Sequence, residues 1–394
     1  MARESRDMLR SRRAQAWAPA ALLVLACSTT PQAECDAAPG LDAAGCALAH
    51  AMKLPDQLPA ARGNAYGDSE DAATLGFQLF FRADVGSGVS CATCHDPTFS
   101  FTDRLPLAKG KAIGIRNAPT TLNAARLRVI FWDGRADSLW SQPLFAIENP
   151  TEMRSGRLDV AQLISGDTKL KELYERAFGA MPDLTSFPPA GKPGDPAYDA
   201  LPDRSKDTIN RIAANVGKGF EAYQRKNSSG QAPLDRYLEG DGAAIIPLAK
   251  KGLGVFVRAG CSTCHAGPML TDERFHSVAL PGAPTEHDSG ALEGMRILNA
   301  NVFNLAGPYA DQVGDLTPLD RSGAVDGAFR TPSLRLVAQT APYGHDGRFA
   351  TLDDLLAAHA MGTSEEERGE LLAFLRTLSG DLPARPWSTW PSPQ

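Results

Sequence analysis

The chain has 394 residues, 43% hydrophobic and 22% charged, a globular composition that excludes disorder, collagen and a many-span membrane protein. Lys and Arg total 40 against 46 Asp and Glu, a net charge of −6, and no basic stripe offers nucleic acid a footprint. Seven cysteines are too few for a disulfide scaffold at this length, so their spacing carries the information.

Arg3, Arg6, Arg10, Arg12 and Arg13 precede an apolar run from Trp17 to Ala26, which reads as a cleaved secretory signal over residues 1–26 and places the protein in the periplasm. The run ends in Val24-Leu25-Ala26-Cys27, similar to a bacterial lipoprotein cleavage box. A lipid anchor on Cys27 and ordinary cleavage nearby both fit. The run is too short for a permanent span, and no later stretch approaches the roughly eighteen apolar residues that one needs. A Gly/Ala-rich lead segment, 27–60, carries Cys35 and Cys46. An oxidising compartment permits a disulfide between them, and two unpaired thiols are the alternative.

Ala72, Leu75, Leu79 and Phe80 recur at the spacing of one helix face, and Cys91-Ala92-Thr93-Cys94-His95 follows. The order then repeats. Ala249, Leu253, Phe256 and Val257 form a similar face, weakened by Gly252 and Gly254, ahead of Cys261-Ser262-Thr263-Cys264-His265. Each C-x-x-C-H pentapeptide supplies two thiols for thioethers to one haem and a His for the iron. Zinc binding and redox dithiols are the alternatives, disfavoured by export and by the His that follows each pair. A short helix leading into such a motif suits a small all-α haem domain. Met181 to Asp203, rich in Pro, Gly and Asp, reads as a surface insertion or interdomain loop.

Thr351 predicts an N-cap, Asp353 and Asp354 favour the first helical turn, and Gly362 stops the helix. On that helix His359 falls on the face of Leu352, Leu355 and Leu356, whereas Met361 lies opposite. His359 is thus a candidate iron ligand, with Met361 the alternative where the helix end unwinds.

Four further stretches stand out: Arg116-Asn117-Ala118-Pro119-Thr120, Phe131-Trp132-Asp133-Gly134-Arg135-Ala136, Arg330-Thr331-Pro332-Ser333-Leu334-Arg335 and Ala341-Pro342-Tyr343-Gly344-His345-Asp346-Gly347. With the two pentapeptides, in this order, they make the chain resemble the bacterial diheme cytochrome c peroxidase and MauG family from about Leu75 to about Leu378. The resemblance implies a mainly α fold of two cytochrome c-like haem domains packed against each other: 61–205 with the peroxidatic haem on His95, and 206–394 with the electron-transfer haem on His265. It implies reduction of hydrogen peroxide to water through a high-valent haem, with electrons from a small cytochrome or cupredoxin. The alternatives are MauG-like oxidation of a protein side chain and a non-catalytic diheme electron carrier. Homodimers are common among such peroxidases.

By the same resemblance, Trp132 lies between the haems, while Gln142 and Glu152 stand over the peroxide. A carboxylate there can move a proton from one peroxide oxygen to the other. Residues 96–116 contain no His, whereas reductively activated relatives carry one there that blocks the peroxide site. The first haem is therefore expected to be open at rest, with His95 its only protein ligand. His359 occupies the place where the peroxidases carry Met and MauG carries Tyr, so this chain departs from both. His345 is expected beside the ligands, as a propionate contact. A calcium ion is implied at the Asn117 side chain and the Thr340 and Pro342 carbonyls, which needs no acidic cluster.

Overall fold

The computed structural model describes residues 37–282, 287–360 and 362–391. The expected signal segment, Cys27, Cys35 and Met361 lie outside these residues. The described residues form one compact unit, mainly helical. The strands among the described residues are Phe275–His276 and Phe329–Arg330, paired antiparallel. No described helix is long and apolar enough to cross a membrane.

The helix Glu70–Phe80 starts where the Ser69 side chain accepts the Ala72 amide, with Glu70 and Asp71 in its first turn. Its predicted face of Ala72, Leu75, Leu79 and Phe80 is buried. It crosses the helix Asp203–Arg225 at Gly76, where a Cβ would stand 2.0 Å from the Gly219 carbonyl oxygen. The second motif repeats the device. Its leading helix, Pro247–Arg258, crosses Glu365–Leu375 at Gly252, where a Cβ would stand 1.9 Å from the Glu370 carbonyl oxygen. Gly252, expected to weaken its helix, is what lets the two backbones touch.

Each crossing centres an apolar cluster: Leu75, Phe80, Phe220 and Tyr223 in the first, Leu253, Phe256, Leu371 and Phe374 in the second. The helix Asp203–Arg225 therefore packs with the first motif, and the 205/206 division drawn from sequence separates it from the helix it crosses. The stretch Met181–Asp203 differs from its expected character as a surface insertion. Met181, Leu184 and Tyr198 are buried in the first cluster. Gln162 Nε2 donates to the Leu184 and Pro188 carbonyls at 3.2 and 3.0 Å, so its Pro and Gly shape turns over a packed underside.

The chain ends cross over. The lead segment contributes Ala37, Leu41, Ala49 and Met52 to the second cluster, whereas Trp387 packs on the first. Cys46 is disulfide-bonded.

Candidate functional site

Cys91–Cys94 forms a single helical turn, closed at its start by a capping box between Ser90 and Thr93. The following His95 places Nδ1 3.2 Å from the Phe101 carbonyl oxygen. A carbonyl only accepts, so Nδ1 carries the proton and Nε2 is the bare nitrogen a metal needs. The second motif has the same geometry, with His265 Nδ1 3.1 Å from the Leu270 carbonyl oxygen. Burial holds both imidazoles neutral, His265 down to about 4. The carbonyls of Pro119 and Pro332 favour the proton on each ring in turn, so the Arg-Asn-Ala-Pro and Arg-Thr-Pro stretches serve matching proximal sides.

Burial also pushes the Cys91 and Cys94 thiols up to about 12. Thiols held protonated are poor zinc ligands and poor redox nucleophiles. Asp272 and His276 lie beside Cys264, their ligand atoms all within 4.8 Å of one another, but the 2.8 Å hydrogen bond between Asp272 and His276 satisfies that pair.

Cys91, Cys94 and His95 line a cavity of about 520 Å³, and Trp132, Gln142 and Glu152 line the same cavity. Its size is that of a cofactor site. No histidine other than His95 lines it among the described residues. Glu152 Oε1 accepts from Asn149 Nδ2 at 2.7 Å and lies 3.5 Å from the Arg135 guanidinium. Arg135 is itself anchored to Asp133 at 3.0 Å and stacked 3.6 Å from the Phe131 ring centre. Asp133 also pairs with Arg116, which pairs with Asp288 at 2.7 Å. Beside the cavity, Lys111 and Ala112 amides bond the carbonyls of Glu152 and Thr151 at 2.8 and 2.9 Å. A Cβ on Gly110 would stand 2.3 Å from the Glu152 carbonyl oxygen, so the loop lacking a histidine fixes the backbone of Glu152.

Two cavity residues have roles that the sequence pattern does not reveal. Arg135 sits in the Phe131–Ala136 stretch, but its ion pair to Glu152 joins residues with no periodic relation. Arg330 is buried at 5% exposure and lines the cavity. Its guanidinium donates to the Phe131 and Thr331 carbonyls at 3.2 and 3.0 Å. No carboxylate forms an ion pair with it among the described residues, Glu273 acting on it only at longer range, and a buried cation without a close counter-ion is costly. An acidic cofactor group in the cavity, such as a haem propionate, would supply one.

Trp132 Nε1 donates to the Asn117 carbonyl at 3.0 Å, and the Asn117 amide donates to the His345 carbonyl at 2.7 Å. The Trp132 and His345 ring centres are 6.5 Å apart, and His345 stacks on Phe329 at 3.8 Å. Asn117 Nδ2 is committed to the Leu105 carbonyl at 2.9 Å, which leaves Oδ1 as the side-chain atom that could accept a further partner. Near the second motif the helix Leu352–His359 begins at the Thr351 N-cap with its capping box. Its last residue, His359, keeps surface exposure, yet its ring centre lies 6.4 Å from that of His265, at 82°. Two imidazole nitrogens each about 2 Å from one shared metal set ring centres roughly 6 Å apart. Partial desolvation by the groups packed around its ring lowers the His359 pKa as well.

A model of the di-haem cytochrome c peroxidase family matches residues 70–243. The chain is 33% identical over 346 residues to a cytochrome-c peroxidase, IdrP2, of Denitromonas iodatirespirans, covering 82% of this chain and 84% of that protein. It is 30% identical to the methylamine utilization protein MauG of Methylorubrum extorquens, covering 85% of each. The fold superposes on a diheme peroxidase, BthA, from Burkholderia thailandensis with a TM-score of 0.60 at 20% identity, covering 84% of this chain and 94% of that one.

Proposed function

The chain belongs to the di-haem cytochrome c peroxidase family, and we propose that it reduces hydrogen peroxide to water at the His95 cavity with electrons that enter beside His265. The observation that carries this reading is the shared cavity: a haem-attachment motif on one part of the wall, Gln142 and Glu152 on another, and no second histidine among its lining residues. A haem held through Cys91, Cys94 and His95 supplies the redox-active iron. Glu152 takes a proton from one peroxide oxygen and delivers it to the other as the O–O bond breaks, and two electrons and two protons complete two water molecules. Gln142 orients the peroxide by hydrogen bonding. Asn149 and Arg135 hold the Glu152 carboxylate in place, Arg330 would hold an acidic group of the haem, and Trp132 would shorten the path for electrons from the second haem.

His265 and His359 would both hold the iron of that second haem, supported by their 6.4 Å ring separation. A calcium ion would be held by Asn117 Oδ1 with the Thr340 and Pro342 carbonyls, supported by the commitment of Nδ2 to Leu105. The arginine-led apolar run at the start of the sequence supports a periplasmic location, where a small cytochrome or cupredoxin is the donor. One observation favours a second reading, MauG-like oxidation of a protein side chain. Paired imidazoles give a haem a lower potential than a Met ligand does, which handicaps electron uptake from a high-potential donor.

The test is stopped-flow spectroscopy of the diferric protein mixed with one equivalent of peroxide. Rapid change in the Soret band, reset by a reduced small cytochrome, is the expected result. A long-lived product that such a donor does not reset points to side-chain oxidation, and no reaction without prior reduction overturns the open first site.

A further inference from the structure

The C-terminal tail brings two tryptophans to the first motif that peroxide reduction does not use. Trp387 packs with its ring centre 5.6 Å from Phe77 and 6.3 Å from Tyr223, whose hydroxyl donates to the Trp387 carbonyl at 2.9 Å. Trp390 lies 5.0 Å from Phe81. Inward, Phe80 is 5.1 Å from both Phe81 and Tyr223, and Phe80 lines the cavity. An unbroken row of aromatic rings thus joins the cavity to the protein surface.

Aromatic clusters pack for stability alone, but two features of Trp390 exceed what packing needs. The indole is 45% exposed, and its Nε1 donates to the Asp96 carboxylate at 3.2 Å. Asp96 directly follows His95. A carboxylate at the N–H accepts the proton that an oxidised indole releases, which eases removal of the electron. The other tryptophans near a cation are less suited. Lys218 Nζ lies 5.7 Å from the Trp140 ring centre and Lys226 Nζ 6.0 Å from that of Trp387, and a positive charge resists oxidation. Trp140 is also fully enclosed.

We propose that Trp390 is a surface oxidation site, where oxidising equivalents generated from peroxide at the first haem site pass to a phenolic donor. The inference rests on the peroxide reading above. Peroxide takes up two electrons and two protons to give two water molecules. Each electron is drawn from the Trp390 indole, whose N–H proton goes to Asp96. The phenol returns one electron and one proton to the indole, while Asp96 releases its proton to solvent. Two phenols are consumed for each peroxide and leave as two phenoxyl radicals.

The experiment mixes the holoprotein with peroxide and a methoxyphenol, and compares Trp390→Phe, which keeps a ring against Phe81. Phenol oxidation should fall about tenfold or more, with the rate of the Soret change on adding peroxide unchanged. Without phenol, freeze-quenched electron paramagnetic resonance should show an indole radical that narrows with ring-deuterated tryptophan and is absent from Trp390→Phe. Asp96→Asn should lower the radical yield with the indole still present. Phenol oxidation at the parent rate in Trp390→Phe, or an unchanged radical, overturns the proposal alone. A Soret band that does not respond to peroxide overturns the proposal and the peroxide reading together.

Discussion

Around Cys91–His95 the protein leaves a cavity of about 520 Å³ bordered by one histidine, whereas the His265 ring faces a second imidazole with centres 6.4 Å apart. The frames are otherwise alike. In both, a helix with a glycine crossing leads into the motif, the proximal Nδ1 bonds a carbonyl, and a proline carbonyl lies beyond it. The frame makes a haem site; the residues brought to the far side decide what the haem does. Glu152 and Gln142 reach the first from an adjoining segment, and His359 closes the second from the helix Leu352–His359.

The comparison breaks most sharply at Glu152. Glu152→Gln keeps the shape but removes the proton carrier, and peroxide reactivity measured by stopped flow should fall at least about a hundredfold; unchanged kinetics remove Glu152 from the mechanism. His359→Ala should make the second site resemble the first. The low-spin signal in electron paramagnetic resonance should give way to a high-spin one, and survival of the low-spin signal unaltered means that His359 is not the ligand. Gly76→Ala and Gly252→Ala each drive a Cβ into a carbonyl oxygen and should lower stability in thermal melts by about 1–3 kcal/mol. A neutral result at either would mean that its helices can separate at no cost.

A further difference separates the crossings by pH. Glu221, on the helix Asp203–Arg225, is 3% exposed, and burial pushes its carboxyl up to about 7 despite a hydrogen bond from Asn64. The folded state holds that proton more tightly than the unfolded chain, whose ordinary value is 4.5. The stabilisation is present below that value and is lost as pH rises through about 7. Melting temperature should therefore decline over this window, and Glu221→Gln should flatten the decline. Equal pH dependence in both proteins would sink the assignment. At the other crossing Glu370 is paired with Lys251 at 3.5 Å instead.

What could be read without coordinates was local. The pentapeptides, the helix faces ahead of them and the Thr351 cap depend on neighbours in sequence, and the helices form where those signals stand. The grouping of Trp132, Gln142 and Glu152 came from a resemblance and not from any periodicity. The remainder depends on contacts between distant residues. Gly252 looked like a flaw because its partner, the Glu370 carbonyl, is far along the chain. Arg330 looked like one motif position among several until burial showed it without a direct ion pair among the described residues. The stretch Met181–Asp203 has the composition of a loop, and only tertiary packing shows Tyr198 beneath it.

The crossing of the two flanking segments also makes each core depend on residues far from it in sequence. Ala37, Leu41, Ala49 and Met52 pack on the cluster of the second motif, whereas Trp387 packs on that of the first. Each attachment motif is thus covered by a segment from the opposite side of the sequence. A chain truncated before Trp387 keeps both attachment motifs and uncovers apolar surface beside the first.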